Sequence, residues 1–288
     1  LLSRYDLAGP RYTSYPTAPQ FSEAFSQSSL FRAIIRSNKA KRDLSLYFHI
    51  PFCESLCYYC GCNKIVTQNK QRSLPYVERM IQELSLYADL FEPEKEVKQI
   101  HWGGGTPTFL STDEMRLLMN ATRRLFRCAP EDEGEYSIEI HPSTVTLDTM
   151  KQLRELGFNR VSMGVQDFDE KVQRAVNRFN SKECIESLTT GLRDLGYKSI
   201  SMDLIYGLPH QTKHSLRETL LKVIDIDPDR ISLFNYAHMP HLFKSQRMIN
   251  EADLPDRNEK LAMLQLAIEL LQQAGYVYIG MDHFAKPT

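Results

Sequence analysis

The chain has 288 residues, 42% of them hydrophobic, enough for one large core or two modest ones. Its 35 Lys and Arg stand against 36 Asp and Glu, a formal charge of -1, without the basic surplus that a phosphate backbone demands. No apolar run approaches the roughly 20 residues that span a bilayer, and the amino end lacks the basic-then-apolar layout of a signal peptide, so neither nucleic acid nor membrane is an expected partner and a cytoplasmic location is expected.

Residues 1–43 read as an arm: Pro10, Pro16 and Pro19 break any helix before a short amphipathic one expected near 29–36. From there, short runs rich in β-branched and aromatic residues recur at 44–50, 97–102, 136–140, 160–163, 199–205, 231–234 and 276–279, each read as a buried strand. Between them lie stretches with helical spacing, such as Val77, Ile81, Leu84 and Tyr87, or Leu261, Leu264, Ile268 and Leu271. Ser111 and Glu114 form a capping box, and Gly157, Gly196 and Gly275 follow helical runs. Six strand-helix units in succession specify a parallel sheet with helical crossovers, either an open doubly wound sheet or a complete or partial barrel. In both, the chemistry collects at the carboxyl ends of the strands.

Those ends are polar. The first strand runs into Cys53-x3-Cys57-x2-Cys60, followed by Gly61 and Cys62; Cys128 and Cys184 stand apart as singles. Thiolates this close can wrap a compact cluster, whereas tetrahedral zinc takes four ligands, usually as two separated pairs, and no second pair exists downstream. Cys62 could supply a fourth thiolate, although with only Gly61 between it and Cys60 both reach one cluster awkwardly; zinc or metal-free cysteines are the alternative. Three ligands leave one iron open, the mark of a catalytic site. The second strand ends in Gly103, Gly104, Gly105 and Thr106, either a tight turn or a place where backbone donors approach a ligand. Glu139 closes the third strand, Gln166 and Asp167 follow the fourth, Asp203 lies in the fifth, and Asn235 to Ala237 follow the sixth. Singly, such residues are more often solvated strand ends than ligands.

Together these motifs resemble the radical S-adenosylmethionine enzymes, with CxxxCxxC after the first strand and a glycine-rich turn after the second. Within that superfamily, several stretches are similar to the oxygen-independent coproporphyrinogen III oxidase (coproporphyrinogen dehydrogenase) family. They are the arm motif Pro10-Arg11-Tyr12-Thr13-Ser14-Tyr15-Pro16-Thr17, Tyr47 to Cys53, Gly61 to Lys64, His101 to Pro107, Ser162 to Phe168, Asn177-Arg178, Asp203 to Pro209, Phe234 to His238 and Gly280 to Phe284. The resemblance covers nearly the whole chain.

It implies a partial (β/α)6 TIM-like barrel over residues 44–288 behind the arm of residues 1–43. It also implies a C-terminal helical domain that nothing in this sequence represents. Cys53, Cys57 and Cys60 would hold a 4Fe-4S cluster, with Cys62 nearby but not a ligand. Two S-adenosyl-L-methionine molecules would bind, the first against Tyr47, Gly104, Glu139 and Ala237, the second against Tyr59, Gly105, Thr106, Gln166, Arg178 and Asp203. Tyr59 departs from an expected phenylalanine, and His141 stands where an acid is common.

The implied activity is that of an oxidoreductase of haem biosynthesis: a 5'-deoxyadenosyl radical takes a hydrogen from each of two propionates of coproporphyrinogen III, and decarboxylation leaves the vinyl groups of protoporphyrinogen IX. The cofactor carries the hard chemistry, and the protein positions a carbon and excludes water. His49 is assigned near the cluster or in electron transfer, with a core histidine as the alternative. Arg4, Arg11 and Arg178 are candidates for propionate carboxylates. The expected partners are the porphyrinogen substrate and an electron donor such as flavodoxin or ferredoxin, with the protein a monomer. The rival is a haem-binding chaperone that keeps the barrel but delivers haem.

Overall fold

The computed structural model describes residues 21–131 and 133–287, so Arg4, Arg11 and the arm motif lie outside the described residues. Six strands, β1 (Leu44–Ile50), β2 (Glu96–Gly104), β3 (Glu135–Ile140), β4 (Arg160–Gln166), β5 (Ser199–Tyr206) and β6 (Arg230–Asn235), lie parallel and side by side in chain order. A hairpin of β7 (Val277–Gly280) and β8 (His283–Ala285) follows, with β8 antiparallel to β6. The helices are α1 (Gln27–Lys39), α2 (Ser73–Ala88), α3 (Thr112–Leu125), α4 (Leu147–Glu155), α5 (Glu170–Val176), α6 (Lys182–Asp194), α7 (Lys213–Ile226) and α8 (Arg257–Gln273).

Two observations decide between an open doubly wound sheet and a barrel. Strand order follows chain order without reversal, and consecutive helices touch: α2 with α3, α3 with α4, α4 with α6, α6 with α7, and α7 with α8. Every crossover therefore returns on the same side, and right-handed crossovers repeated in one direction curl the sheet. β1 and β7 remain as its two edges, so the barrel is partial.

The strands are two-faced. Phe48, Ile50, Ile100, Trp102, Tyr136, Ile138, Val161, Met163, Met202, Leu204, Ile231 and Leu233 are buried and join the core under the helices. Trp102 sits at its centre with the Phe158 ring edge-on at 5.0 Å. The alternate positions, among them His101, Glu139, Ser162, Asp203 and Ser232, line the concave side. A parallel sheet with both faces covered reads as continuous apolar runs; here one face is a cavity, and polar residues alternate into it.

Local signals behave as expected. Ser111 and Glu114 cap α3 reciprocally, and Gly157, Gly196 and Gly275 take left-handed φ values after α4, α6 and α8. The short helix expected near 29–36 is α1, capped by Ser26. One expectation fails. The last run is not a buried strand: in β7, at the edge of the sheet, Val277 and Ile279 are 49% and 62% exposed.

Candidate active site

A cavity of about 610 Å³ opens at the carboxyl ends of the strands, within the range of small-molecule sites. The loop after β1 brings Cys53, Cys57, Tyr59 and Cys60 into its wall. The end of β2 and the turn after it contribute Gly104, Gly105 and Thr106, and the rest of the wall includes Glu139, Gln166, Arg178 and Asp203. Eleven of the residues expected at the site thus meet in one cavity. Tyr47, His49 and Ala237 are not among its lining residues. Tyr47 instead lies flat beside the His101 ring at 5.8 Å, and the Ala237 carbonyl accepts from Gln246 Nε2 at 3.1 Å.

Each of the three thiols has its own donor. Thr106 Oγ1 lies 3.8 Å from Cys53 Sγ, Arg178 Nη1 3.8 Å from Cys57 Sγ, and the Cys62 backbone N–H 3.4 Å from Cys60 Sγ. A hydrogen bond from the Cys62 side chain, aided by Lys64, outweighs burial and draws the Cys60 thiol down to about 6. Burial pushes Cys53 up, against the pull of Thr106. Burial also pushes the Tyr59 phenol up, so it stays neutral beside the cysteines.

The loop that carries these thiols is held from several directions. Asn177, in a left-handed turn after α5, donates to the Leu56 carbonyl at 2.8 Å, and Tyr58 N–H donates to Val176. Ser245 Oγ donates to the Cys60 carbonyl at 3.0 Å and Gln246 Nε2 to the Tyr59 carbonyl at 2.9 Å. Lys64 Nζ reaches the Cys60 carbonyl at 2.9 Å. Tyr58 and Tyr59 pack on a satellite apolar cluster of Val172, Val176, Ile205, Leu208, Phe234, Tyr236 and Ile249. His49 braces the far end: Nε2 donates to the Asn63 carbonyl at 2.8 Å, which leaves Nδ1 to accept from the Tyr47 hydroxyl at 3.0 Å.

The glycines at the end of β2 and just after it serve three different neighbours. A Cβ on Gly103 would stand 2.7 Å from the Glu139 carboxylate, on Gly104 2.7 Å from the His49 ring, and on Gly105 2.7 Å from the Pro51 and Phe52 carbonyls. Their donors are also taken within the chain: Gly104 N–H by Glu139, Gly105 N–H by Ile50, and Thr106 N–H by Phe52. These three N–H groups therefore root the cysteine loop and orient Glu139 rather than reaching into the cavity. Glu139 Oε1 accepts from His101 Nε2 at 3.1 Å.

Behind the wall, Gln166 adopts φ 71, and Asp167 is buried with donors from Gln211, Thr219 and Asp169 N–H. Arg178 Nη2 donates to the Gly164 carbonyl at 2.5 Å, and Asp203 accepts from Ser162 at 3.1 Å. His141 lines the cavity, and burial with the nearby Arg178 charge lowers it to about 3, so it is neutral. His101, Ser162, Ser232 and His283 also line the cavity and were missed in the sequence. Their signal was the alternation of apolar and polar residues along the strands.

Among the described residues no three His, Cys, Asp or Glu converge as ligands of a single ion would. A polynuclear cluster sets a different requirement, since each thiolate binds its own iron and the sulfurs stand apart around it. Cys53, Cys57 and Cys60 fit that requirement: they share one cavity, each thiol meets a donor, and the loop backbone is pinned. Arg178 also lines the cavity, and its Nε is buried without a hydrogen-bond partner.

Comparison with known proteins agrees with this geometry. The chain is similar to the oxygen-independent coproporphyrinogen III oxidases of Pseudomonas aeruginosa, at 52% identity, and of Salmonella typhimurium, at 50%; each match covers 100% of the chain and 62% of the relative. The chain therefore spans under two thirds of the length of these relatives. A solved structure of coproporphyrinogen III oxidase from Escherichia coli, described as a radical SAM enzyme, superposes with a TM-score of 0.91 at 48% identity, covering 99% of this chain and 63% of that one. The model of the radical SAM superfamily matches residues 47–223, from the strand before the cysteine loop to the helix after β5, and the chain belongs to that superfamily.

Proposed function

We propose that this chain carries the catalytic barrel of an oxygen-independent coproporphyrinogen III oxidase, which converts two propionates of coproporphyrinogen III to vinyl groups and yields protoporphyrinogen IX. One observation carries this reading: relatives of that name match the chain from end to end at about half identity. The haem-chaperone alternative is not favoured by these relatives.

Membership of the superfamily implies a 4Fe-4S cluster and S-adenosylmethionine. When bound, they supply the one-electron, hydrogen-abstracting chemistry. In this proposal Cys53, Cys57 and Cys60 hold the cluster, and Thr106, Arg178 and the Cys62 N–H stabilise their thiolates through the hydrogen bonds described. The Glu139 carboxylate, held by His101 and Gly104 N–H, suits the ammonium of a first S-adenosylmethionine, with Tyr47 and Ala237 outside the immediate wall. Tyr59, Gly105, Thr106, Gln166, Arg178 and Asp203 form the place of a second. There the Arg178 guanidinium in the cavity wall suits a carboxylate. His49, with both ring nitrogens engaged by protein groups, acts as a brace for the cluster loop. The curved wall and the pinned loop fix the positions of the groups around the cavity.

The proposal extends to a low-potential electron donor such as flavodoxin or ferredoxin, a monomeric cytoplasmic protein, and an arm over 1–43 ahead of the barrel over 44–288. None of the described helices is long and apolar enough to cross a membrane. The test is anaerobic incubation of the reconstituted protein at its natural length with reductant, S-adenosylmethionine and coproporphyrinogen III. Formation of 5'-deoxyadenosine and a vinyl-bearing porphyrinogen is expected; their absence from protein with a full iron and sulfide count sinks the oxidase assignment.

A further inference from the structure

The segment between β6 and α8 has two sides with different character. On one side, Ser245 and Gln246 are buried and donate to the carbonyls of Cys60 and Tyr59, while the Phe243 ring lies 3.1 Å from where a Cβ on Gly61 would stand. On the other side, Leu242 and Met248 are 63% and 62% exposed, and Lys244 and Arg247 are exposed beside them. Residues 239–250 contain no Asp or Glu, on a chain whose formal charge is -1. The nearest acid along the chain, Glu251, lies three residues past Met248 with its side chain 75% exposed and 3.3 Å from His238, and Asp253 lies 3.5 Å from His210. Across the cysteine loop, Glu54 is held by Lys70 at 2.5 Å. Lys244 has no ion pair among the described residues, and Arg247 donates only to the Pro240 carbonyl, at 3.0 Å.

We propose that Leu242, Lys244, Arg247 and Met248 form the docking surface for an acidic one-electron carrier that reduces the cluster held by Cys53, Cys57 and Cys60. This rests on the reading of those cysteines as cluster ligands. A cluster that gives up an electron must receive another. The step moves one electron from the reduced carrier to the oxidised cluster; no bond forms and no proton moves. Two exposed apolar side chains flanked by uncompensated cations suit a small, short-lived interface in which charge sets the encounter rate and a little apolar area holds the pair briefly. The surface also lies against the right part of the loop. Side chains adjacent in sequence to Lys244 and Arg247 bond directly to the Cys60 carbonyl and its neighbour, so a carrier seated there reaches a ligand of the cluster through Ser245 and Gln246.

The test uses cluster-loaded protein at its natural length and two electron sources: a reduced acidic flavodoxin, and dithionite, which needs no docking surface. Bleaching of the cluster absorbance is followed by stopped flow, and binding of oxidised flavodoxin by titration calorimetry. The double variant Lys244→Glu/Arg247→Glu is expected to slow reduction by flavodoxin about tenfold or more at low salt, with binding weakened to match. High salt should close the gap by slowing the parent, and reduction by dithionite should stay unchanged. Leu242→Ser/Met248→Ser, which leaves the charge alone, should weaken binding without altering the salt dependence. The proposal is overturned if the parent shows no salt dependence, if the charge-reversed variant reacts with flavodoxin within twofold of the parent, or if dithionite is slowed equally. A protein without iron or visible absorbance would instead refute the cluster reading itself.

Discussion

Arg178 and Cys57 are 121 residues apart in the chain, yet the guanidinium Nη1 stands 3.8 Å from the sulfur while Nη2 donates to the Gly164 carbonyl at 2.5 Å. One planar group thus ties a thiol on the cysteine loop to the end of β4, and its Nε still lacks a partner. A lysine carries its three donors on one nitrogen and lacks the planar spread that lets separate guanidinium nitrogens reach separate partners. Arg178→Lys is therefore expected to keep the cluster, whose ligands are intact, and to weaken S-adenosylmethionine binding by about tenfold or more, the worth of one charged hydrogen bond. Equilibrium dialysis beside an iron count checks this; parent-like affinity would remove Arg178 from the ligand site.

Gly103 and Gly105 predict different costs for the same substitution. In Gly103→Ala the new methyl meets the end of a flexible Glu139 side chain, which can turn away. In Gly105→Ala it meets the Pro51 and Phe52 carbonyls at the root of the cysteine loop, and backbone cannot move without breaking the Gly105 and Thr106 N–H bonds to Ile50 and Phe52. Gly105→Ala should cost about 1–3 kcal/mol as an overpacked site and Gly103→Ala less. Urea unfolding that ranks them the other way contradicts the packing described.

His141 makes a pH prediction. Burial and then the Arg178 charge lower it from 6.5 to about 3, so between those values the unfolded chain binds a proton that the folded protein refuses. Its contribution to stability is present above 6.5 and is lost as pH falls toward 3, at up to about 1.4 kcal/mol per pH unit for one proton. Partial exposure to the cavity reduces that slope. His141→Gln should flatten the acid side of the stability curve relative to the parent, measured as urea midpoints from pH 7 to 4; identical curves would show that this histidine titrates normally.

Gln246 is buried and saturated: Nε2 donates to the Tyr59 and Ala237 carbonyls, and Oε1 accepts from Met239 N–H at 2.5 Å. Gln246→Ala leaves these groups without partners and should destabilise the protein by about 1–3 kcal/mol. Because one of the three belongs to the cysteine loop, the loss should also show as faster iron release to a chelator. Destabilisation with an unchanged release rate would mean that the loop does not depend on this anchor.

The strand ends and the cysteine spacing could be read from the chain because they are local. An alternation of apolar runs and helical periods declares itself within a dozen residues, and three thiols on eight residues can meet without help from the rest of the fold. Within the stretch 276–279 only Tyr276 is buried; the composition suits a buried strand throughout, but at the sheet edge Val277, Tyr278 and Ile279 are exposed. Choice of a barrel over a doubly wound sheet also lay beyond local pattern, because both use the same repeating unit and differ in which side each helix packs.

By itself, then, the chain of amino acids determined the repeating strand-helix unit, the close spacing of three thiols in the loop after β1 and the polar residues at each strand end. Tertiary structure alone decided what holds that loop. Gln246 reaches Tyr59 across 187 residues, Arg178 reaches Cys57 across 121, and the glycine turn spends its N–H groups on the loop's root and on Glu139. Such pairings have no periodic signature, because they depend on the order in which the strands meet and the direction in which the sheet curls, and these become definite only when the core under the helices is packed.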